Sequence, residues 1–175
     1  STHCISSAAS DVYKRQAMSR LLWAHKVALY LSRSDEPDTV DLADTLIMMG
    51  KKVLAPVLTD GHGRSLHEPA WAWYDSKNVR TGLWQIPEPI APILPASAID
   101  QVEVVLCSAL FVDRSGYRVG VGGGWYDRVL AHRADDVPVW AVVNDDEILD
   151  EVPHDPWDES VTAALTPSGL HMLGQ

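Results

Sequence analysis

The spacing of apolar and polar positions predicts alternating strands and helices. Lys26–Leu31 (KVALYL) is short, apolar and rich in β-favouring residues, so it reads as the first buried strand. Ser32–Thr39 (SRSDEPDT) is a polar loop in which Asp38 or Thr39 can cap the next helix, with Asp41 as a favourable first-turn charge. Val40–Met49 sets Leu42/Leu46 and Ala43/Ile47 at i,i+4 spacing on one apolar face, and Gly50 follows as a C′ residue. Lys51 and Lys52 read as exposed charges at the entry to a second strand, Val53–Leu58. A strand, helix and strand of these lengths imply a parallel crossover, hence an α/β sheet.

Beyond the Asp60–Ser65 turn, Leu66–Tyr74 carries Trp71 and Trp73 two apart, a strand period that puts both on one face. Ile86–Pro95 holds four prolines, so no helix or central strand persists through it. Val102–Val112 is the most apolar stretch and is predicted as one central strand. Tyr126–His132 is helix-like, and Val137–Val143 and a last strand at Val161–Leu165 complete the sheet. Residues 1–17 show no clear period and no signal-peptide shape. Their SDVYKRQ string resembles translated adapter sequence, so a leader is expected at 1–17 and a single α/β domain at 18–175.

Composition changes this picture little. At 175 residues and 46% apolar content, one domain with a real core is the default. No apolar run approaches the ~20 residues of a membrane-spanning helix. Cys107 lies in an apolar run and reads as a buried free thiol, and the seven histidines form no ligand spacing. Charge is more informative. The net charge of −10 argues against nucleic acid as a partner. Residues 134–175 hold ten carboxylates and no Lys or Arg, whereas residues 114–133 hold Arg114, Arg118, Arg128 and Arg133 against one carboxylate, Asp127. An acidic chain with one basic loop suits a small anionic substrate.

That loop carries the candidate chemistry. Gly120, Gly122, Gly123 and Gly124 lie between the apolar run ending at Val112 and the helix-like run from Tyr126. Glycines let backbone N–H groups turn toward a phosphate, and a helix start adds partial positive charge. Arg118 and Arg128 can offer forked donors to phosphate oxygens. A carboxylate beside a phosphate is repelled unless a cation intervenes, so Asp127 reads as a Mg²⁺-facing group. The spacing is neither GxxxxGK[ST] nor GxGxxG, since Trp125 stands where the third glycine of the latter is needed.

What stands there is R-x-G-x-G-G-G-x-Y-D-R, from Arg118 to Arg128. It resembles the signature of the 5-formyltetrahydrofolate cyclo-ligase family, F-D-x-x-G-x-R-x-G-x-G-G-G-Y-Y-D-R, with Val112 for Phe, Asp113 kept and Trp125 for the first Tyr. Further matches are Gly50, Lys51, Val53 and Pro56 to G-K-x-V-x-x-P, Gly82–Pro89 to G-x-x-x-I-x-E-P, and Pro153–Thr166 to the family's last motif. The resemblance implies a three-layer α/β/α fold with a mostly parallel sheet, like the NagB/RpiA/CoA-transferase-like fold. It implies a cytoplasmic enzyme, monomer or homodimer, that uses ATP and Mg²⁺ to convert 5-formyltetrahydrofolate to 5,10-methenyltetrahydrofolate, with no nucleic acid or membrane as partner.

By the same resemblance, Arg118, Val119, Gly120, Val121, Gly122, Gly123, Gly124, Trp125 and Tyr126 contact ATP. Tyr126, Arg118 and Arg128 act in catalysis, Glu36, Leu31 and Tyr126 meet the folate, and Asp127 holds the metal. The family's N-terminal ATP lysine has no match in the context of Lys14 and Arg15. Trp71 and Trp73 are then either core or a wall for the pterin. A non-catalytic ATP- or folate-binding relative and a sugar-phosphate isomerase-like enzyme are the alternatives.

Overall fold

In a computed structural model that describes residues 7–33, 36, 38–120 and 124–174, the first described element is a helix. Helix α1 (Ser7–Leu21) leads to strand β1 (Lys26–Leu29), helix α2 (Thr39–Met48) and strand β2 (Lys52–Thr59). Strand β3 (Ser65–Trp73) runs back, and the short strands β4 (Val79–Thr81), β5 (Pro87–Pro89) and β6 (Leu94–Pro95) follow. Then come β7 (Val104–Ser108), the hairpin of β8 (Phe111–Asp113) and β9 (Arg118–Val119), and helix α3 (Trp125–Leu130). Strands β10 (Val139–Val142), β11 (Ile148–Leu149), β12 (Ala163–Thr166) and β13 (Gly169–Met172) end the described chain.

Eight strands form the main sheet in the order β13-β12-β10-β7-β1-β2-β3-β6. Its middle, from β12 to β2, is parallel, and both flanks are antiparallel. The apolar runs at Val27–Leu29, Val53–Ala55, Val104–Cys107 and Val139–Ala141 are buried on both faces apart from Trp140's small exposed edge, as parallel strands between helices must be. The chain winds one way from β1 to β2 and the other way from β7 to β10. Right-handed crossovers therefore put α2 and α3 on opposite faces, giving the α/β/α layering. The order reverses between β1 and β7, which pair directly through Val27↔Val104 and Leu29↔Leu106.

Helix α2 forms where the pattern places it. Asp38 caps it by accepting from Asp41 N–H at 3.0 Å, Leu42 and Leu46 point inward, and Gly50 closes it at φ +83°. Residues 7–17 belong to α1, which packs on α2 and β12 and buries Tyr13, Ala17 and Leu21 at i,i+4,i+8 spacing. Three expectations need correction. Lys51 is not an exposed charge. It is buried, and its ammonium donates to the Leu22 and Ala24 carbonyls just past α1. Val102–Val112 is two strands, because Leu110 N–H leaves the sheet to pair with Val119 O at 2.8 Å. The strand expected at Val161–Leu165 starts at Ala163, and β13 adds an antiparallel edge after it.

Candidate active site

Ligands of open α/β sheets collect beyond the carboxyl ends of the strands, where the strand order reverses. Here those ends are Tyr30 and Leu31 after β1 and Ser108 at the end of β7. All three line a cavity of about 350 Å³. One wall is polar, built from Arg118, Gly120, Gly124, Asp127, Arg128 and Glu36. The other is apolar, built from Pro56, Leu58, Leu66, Leu83, Trp84 and Ile86.

The short hairpin β8–β9 aims the polar wall. Asp113 is buried, and its carboxylate accepts from Ser115 and Tyr117 N–H, both at 3.0 Å, and from Val152 N–H at 3.1 Å, so the turn is fixed before β9 begins. From β9, Arg118 reaches back to donate to Ser108 O at 3.3 Å, and its guanidinium carbon stands 4.9 Å from the centre of the Tyr126 ring. Gly120 makes room for this. A Cβ there would lie 2.6 Å from Arg118 Nη1. Gly124, in the left-handed region at φ +63°, turns the chain into α3.

Tyr126 is the most telling side chain. It is 8% exposed, and its buried hydroxyl finds no acceptor among the described residues, with only the Ser108 backbone N–H directed at its oxygen. Burial pushes its pKa well above the ordinary tyrosine value, and the nearby Cys107 thiol pushes the same way against a downward pull from Arg118. The hydroxyl therefore stays protonated and is a donor awaiting an acceptor. Cys107, buried beneath the site, is raised to about 11, mainly by burial, while Arg118 lowers it.

Asp127 Oδ1 accepts the Glu159 N–H at 3.1 Å. Among the described residues no three His, Cys, Asp or Glu side chains are placed to hold a metal ion together. A divalent cation at Asp127 would draw its other ligands from phosphate oxygens and water, as Mg²⁺ commonly does. Glu36 lines the cavity, accepts Arg33 N–H at 2.9 Å and lies 3.9 Å from the Arg33 guanidinium. Leu31, Trp125 and Arg128 also line the cavity. Val119 sits half-buried in β9 outside the lining, and Val121, Gly122 and Gly123 lie outside the described residues.

The apolar wall is not the tryptophan pair of β3. Trp71 is fully buried, packs edge-on against Trp125 with ring centres 5.0 Å apart, and donates to Ala96 O. Trp73 is half-buried under the Lys52 ammonium. The wall comes instead from β2, from Leu66 at the start of β3 and from the turn Leu83–Ile86, where Trp84 and Gln85 both have left-handed backbones at φ +53° and +60°. Trp84 is 63% exposed at the cavity. Tyr30 and Ser108 are further lining residues without a local motif.

The family model for the 5-formyltetrahydrofolate cyclo-ligase family matches residues 5–167. A 5-formyltetrahydrofolate cyclo-ligase of Mycolicibacterium smegmatis is 41% identical over 141 residues, covering 81% of this chain and 73% of the relative. The enzyme of that name from Escherichia coli K12 is 31% identical over 164 residues, covering 88% and 87%. Among solved structures, Aquifex aeolicus 5,10-methenyltetrahydrofolate synthetase superposes with a TM-score of 0.74 at 21% identity, covering 98% of this chain and 86% of that one. A fold match of this kind and a family match across nearly the whole sequence agree: the chain belongs to the 5-formyltetrahydrofolate cyclo-ligase family.

Proposed function

We propose that this chain uses ATP and Mg²⁺ to convert 5-formyltetrahydrofolate to 5,10-methenyltetrahydrofolate, releasing ADP and phosphate. The observation that carries the reading is Tyr126 at the cavity: its buried hydroxyl finds no acceptor among the described residues, and its ring lies 4.9 Å from the Arg118 guanidinium carbon. The polar wall suits a triphosphate, and the apolar wall suits a flat pterin.

An amide oxygen is a poor leaving group. In the proposed reaction the formyl oxygen attacks the γ-phosphorus and ADP departs. The folate's 10-nitrogen then attacks the activated carbon and loses its proton, and phosphate leaves with the former formyl oxygen. Both nucleophiles belong to substrates, so the protein positions and neutralises. Tyr126 donates a hydrogen bond at the formyl group. Arg118 and Arg128 offset charge on the transferred phosphoryl group, and Glu36 accepts from pterin N–H groups beside Leu31. The Gly120–Gly124 backbone cradles the phosphates, with Val119 and Trp125 as further ATP contacts. Mg²⁺ held at Asp127 would neutralise phosphate charge.

Among the described residues no helix is long and apolar enough to cross a membrane. The proposed setting is the cytoplasm, with reduced folate and ATP as partners and the chain as monomer or homodimer. A thermal-shift series tests the nucleotide half. MgATP at 100 times its Kd should stabilise the fold by about 2.7 kcal/mol, whereas sugar phosphates should not. Stabilisation by a sugar phosphate and not by MgATP would favour an isomerase-like site instead.

A further inference from the structure

Glu88 carries a carboxylate with no solvent exposure and does not line the cavity. It accepts Leu58 N–H at 2.7 Å, Thr59 N–H at 3.1 Å and the Thr59 hydroxyl at 2.7 Å, and it pairs with the Arg80 guanidinium at 3.2 Å. These partners lie at the end of β2 and on β4, while Glu88 itself lies on β5. One side chain thus locks the β4–β5 hairpin to the strand end that supplies Leu58 to the cavity.

The tip of that hairpin is the turn that completes the apolar wall. Gly82 N–H donates to Ile86 O at 2.8 Å and Ile86 N–H to Leu83 O at 2.9 Å, closing a small loop with Trp84 and Gln85 in the left-handed region. A left-handed backbone at a bulky residue is unfavourable and persists only where its surroundings over-determine it. Glu88 lies beneath this loop, and a Cβ on Gly82 would stand 2.6 Å from its side-chain carbons. Gly82 has an extended backbone that any residue adopts, so space and not conformation demands glycine there.

We infer that Glu88 is a positioning residue for the folate half of the cavity, fixing the Leu83–Ile86 turn so that Leu83, Trp84 and Ile86 present a ready-made apolar wall to the pterin. This rests on the proposed cyclo-ligase reading. The phosphate wall stands on β9 and α3, and none of Glu88's bonds reaches it. Disturbing Glu88 therefore weakens folate binding and spares ATP.

The experiment compares wild type, Glu88→Gln and Gly82→Ala. Gln keeps the shape but turns an amide toward backbone donors, and Ala displaces Glu88 without removing it. The readouts are KM for 5-formyltetrahydrofolate, KM for ATP, and folate binding measured by tryptophan-fluorescence quenching. The expected result is a KM for the folate raised about tenfold or more in both variants, matching weakened binding, with KM for ATP unchanged within about twofold. A folded variant with an unaltered KM for the folate overturns the inference, as does a parallel rise for both substrates. Loss of the fold in both variants also overturns it, since Glu88 would then be a keystone of stability only. If wild type itself neither binds nor turns over the folate, it is the cyclo-ligase reading that fails.

Discussion

Gly120 and Arg118 occupy a space that only a hydrogen atom can share. A methyl on Gly120 meets the far end of a flexible side chain, so the arginine gives way and the backbone does not. Gly120→Ala is therefore expected to lower kcat by about 10²-fold, the scale of a 1 Å misplacement, with the thermal midpoint nearly unchanged. Steady-state kinetics beside a melting curve checks this, and equal losses in both would make Gly120 a folding residue. That Gly120, Gly124, Arg118, Asp127 and Arg128 share one cavity was legible because they are neighbours in sequence and of types suited to an anion. Tyr30, Ser108 and the Leu83–Ile86 turn were not, because only the sheet brings them to the same edge. Glu88 was visible as a motif residue, but a carboxylate's burial leaves no mark in a linear pattern.

At the scale of elements, α1 is the test of how much packing outweighs local appearance. Its inward face consists of Tyr13, Ala17 and Leu21, and the Tyr13 hydroxyl bonds to Val143 O and Asn144 Oδ1 across the sheet edge. Met18 packs beside this face, but Ser10, Asp11, Lys14, Arg15, Gln16, Ser19 and Arg20 interrupt the pattern, so the apolar stripe is thin and the adapter-like string hides it. Leu21 is fully buried, and Leu21→Ala should cost about 2–5 kcal/mol in a urea titration. A cost below about 0.5 kcal/mol would mean that α1 is not docked. The parallel strands and α2 were readable from periodicity alone. The break after Ser108 was not, because an unbroken apolar run does not reveal where the chain leaves one sheet for another. Strand β13 was missed because Gly169 and His171 dilute a four-residue edge strand.

For the whole molecule, the core makes stability sensitive to alkaline pH. The Cys107 thiol is raised to about 11 by burial, against about 8.5 in an unfolded chain. Between those values the native state keeps a proton that the unfolded state releases, so its contribution is fully present below about pH 8.5 and falls as pH rises, by at most about 1.4 kcal/mol per unit. Tyr30 and Tyr126 are raised well above 10, chiefly by burial, and should steepen the decline beyond that pH. Urea midpoints from pH 7 to 10 check this, with Cys107→Ala expected to flatten the curve below pH 10. An unchanged slope in that variant would assign the decline to other groups.

The proposed formyl activation rests on the family and on the cavity at the reversal point of the sheet. The most direct test is spectroscopic: mix the protein with 5-formyltetrahydrofolate and follow the methenyl chromophore with ATP and Mg²⁺ added singly and together. The chromophore should grow only when both are present, with one ADP formed per methenyl product. A protein that binds both substrates and yet forms neither chromophore nor ADP would contradict the proposed reaction.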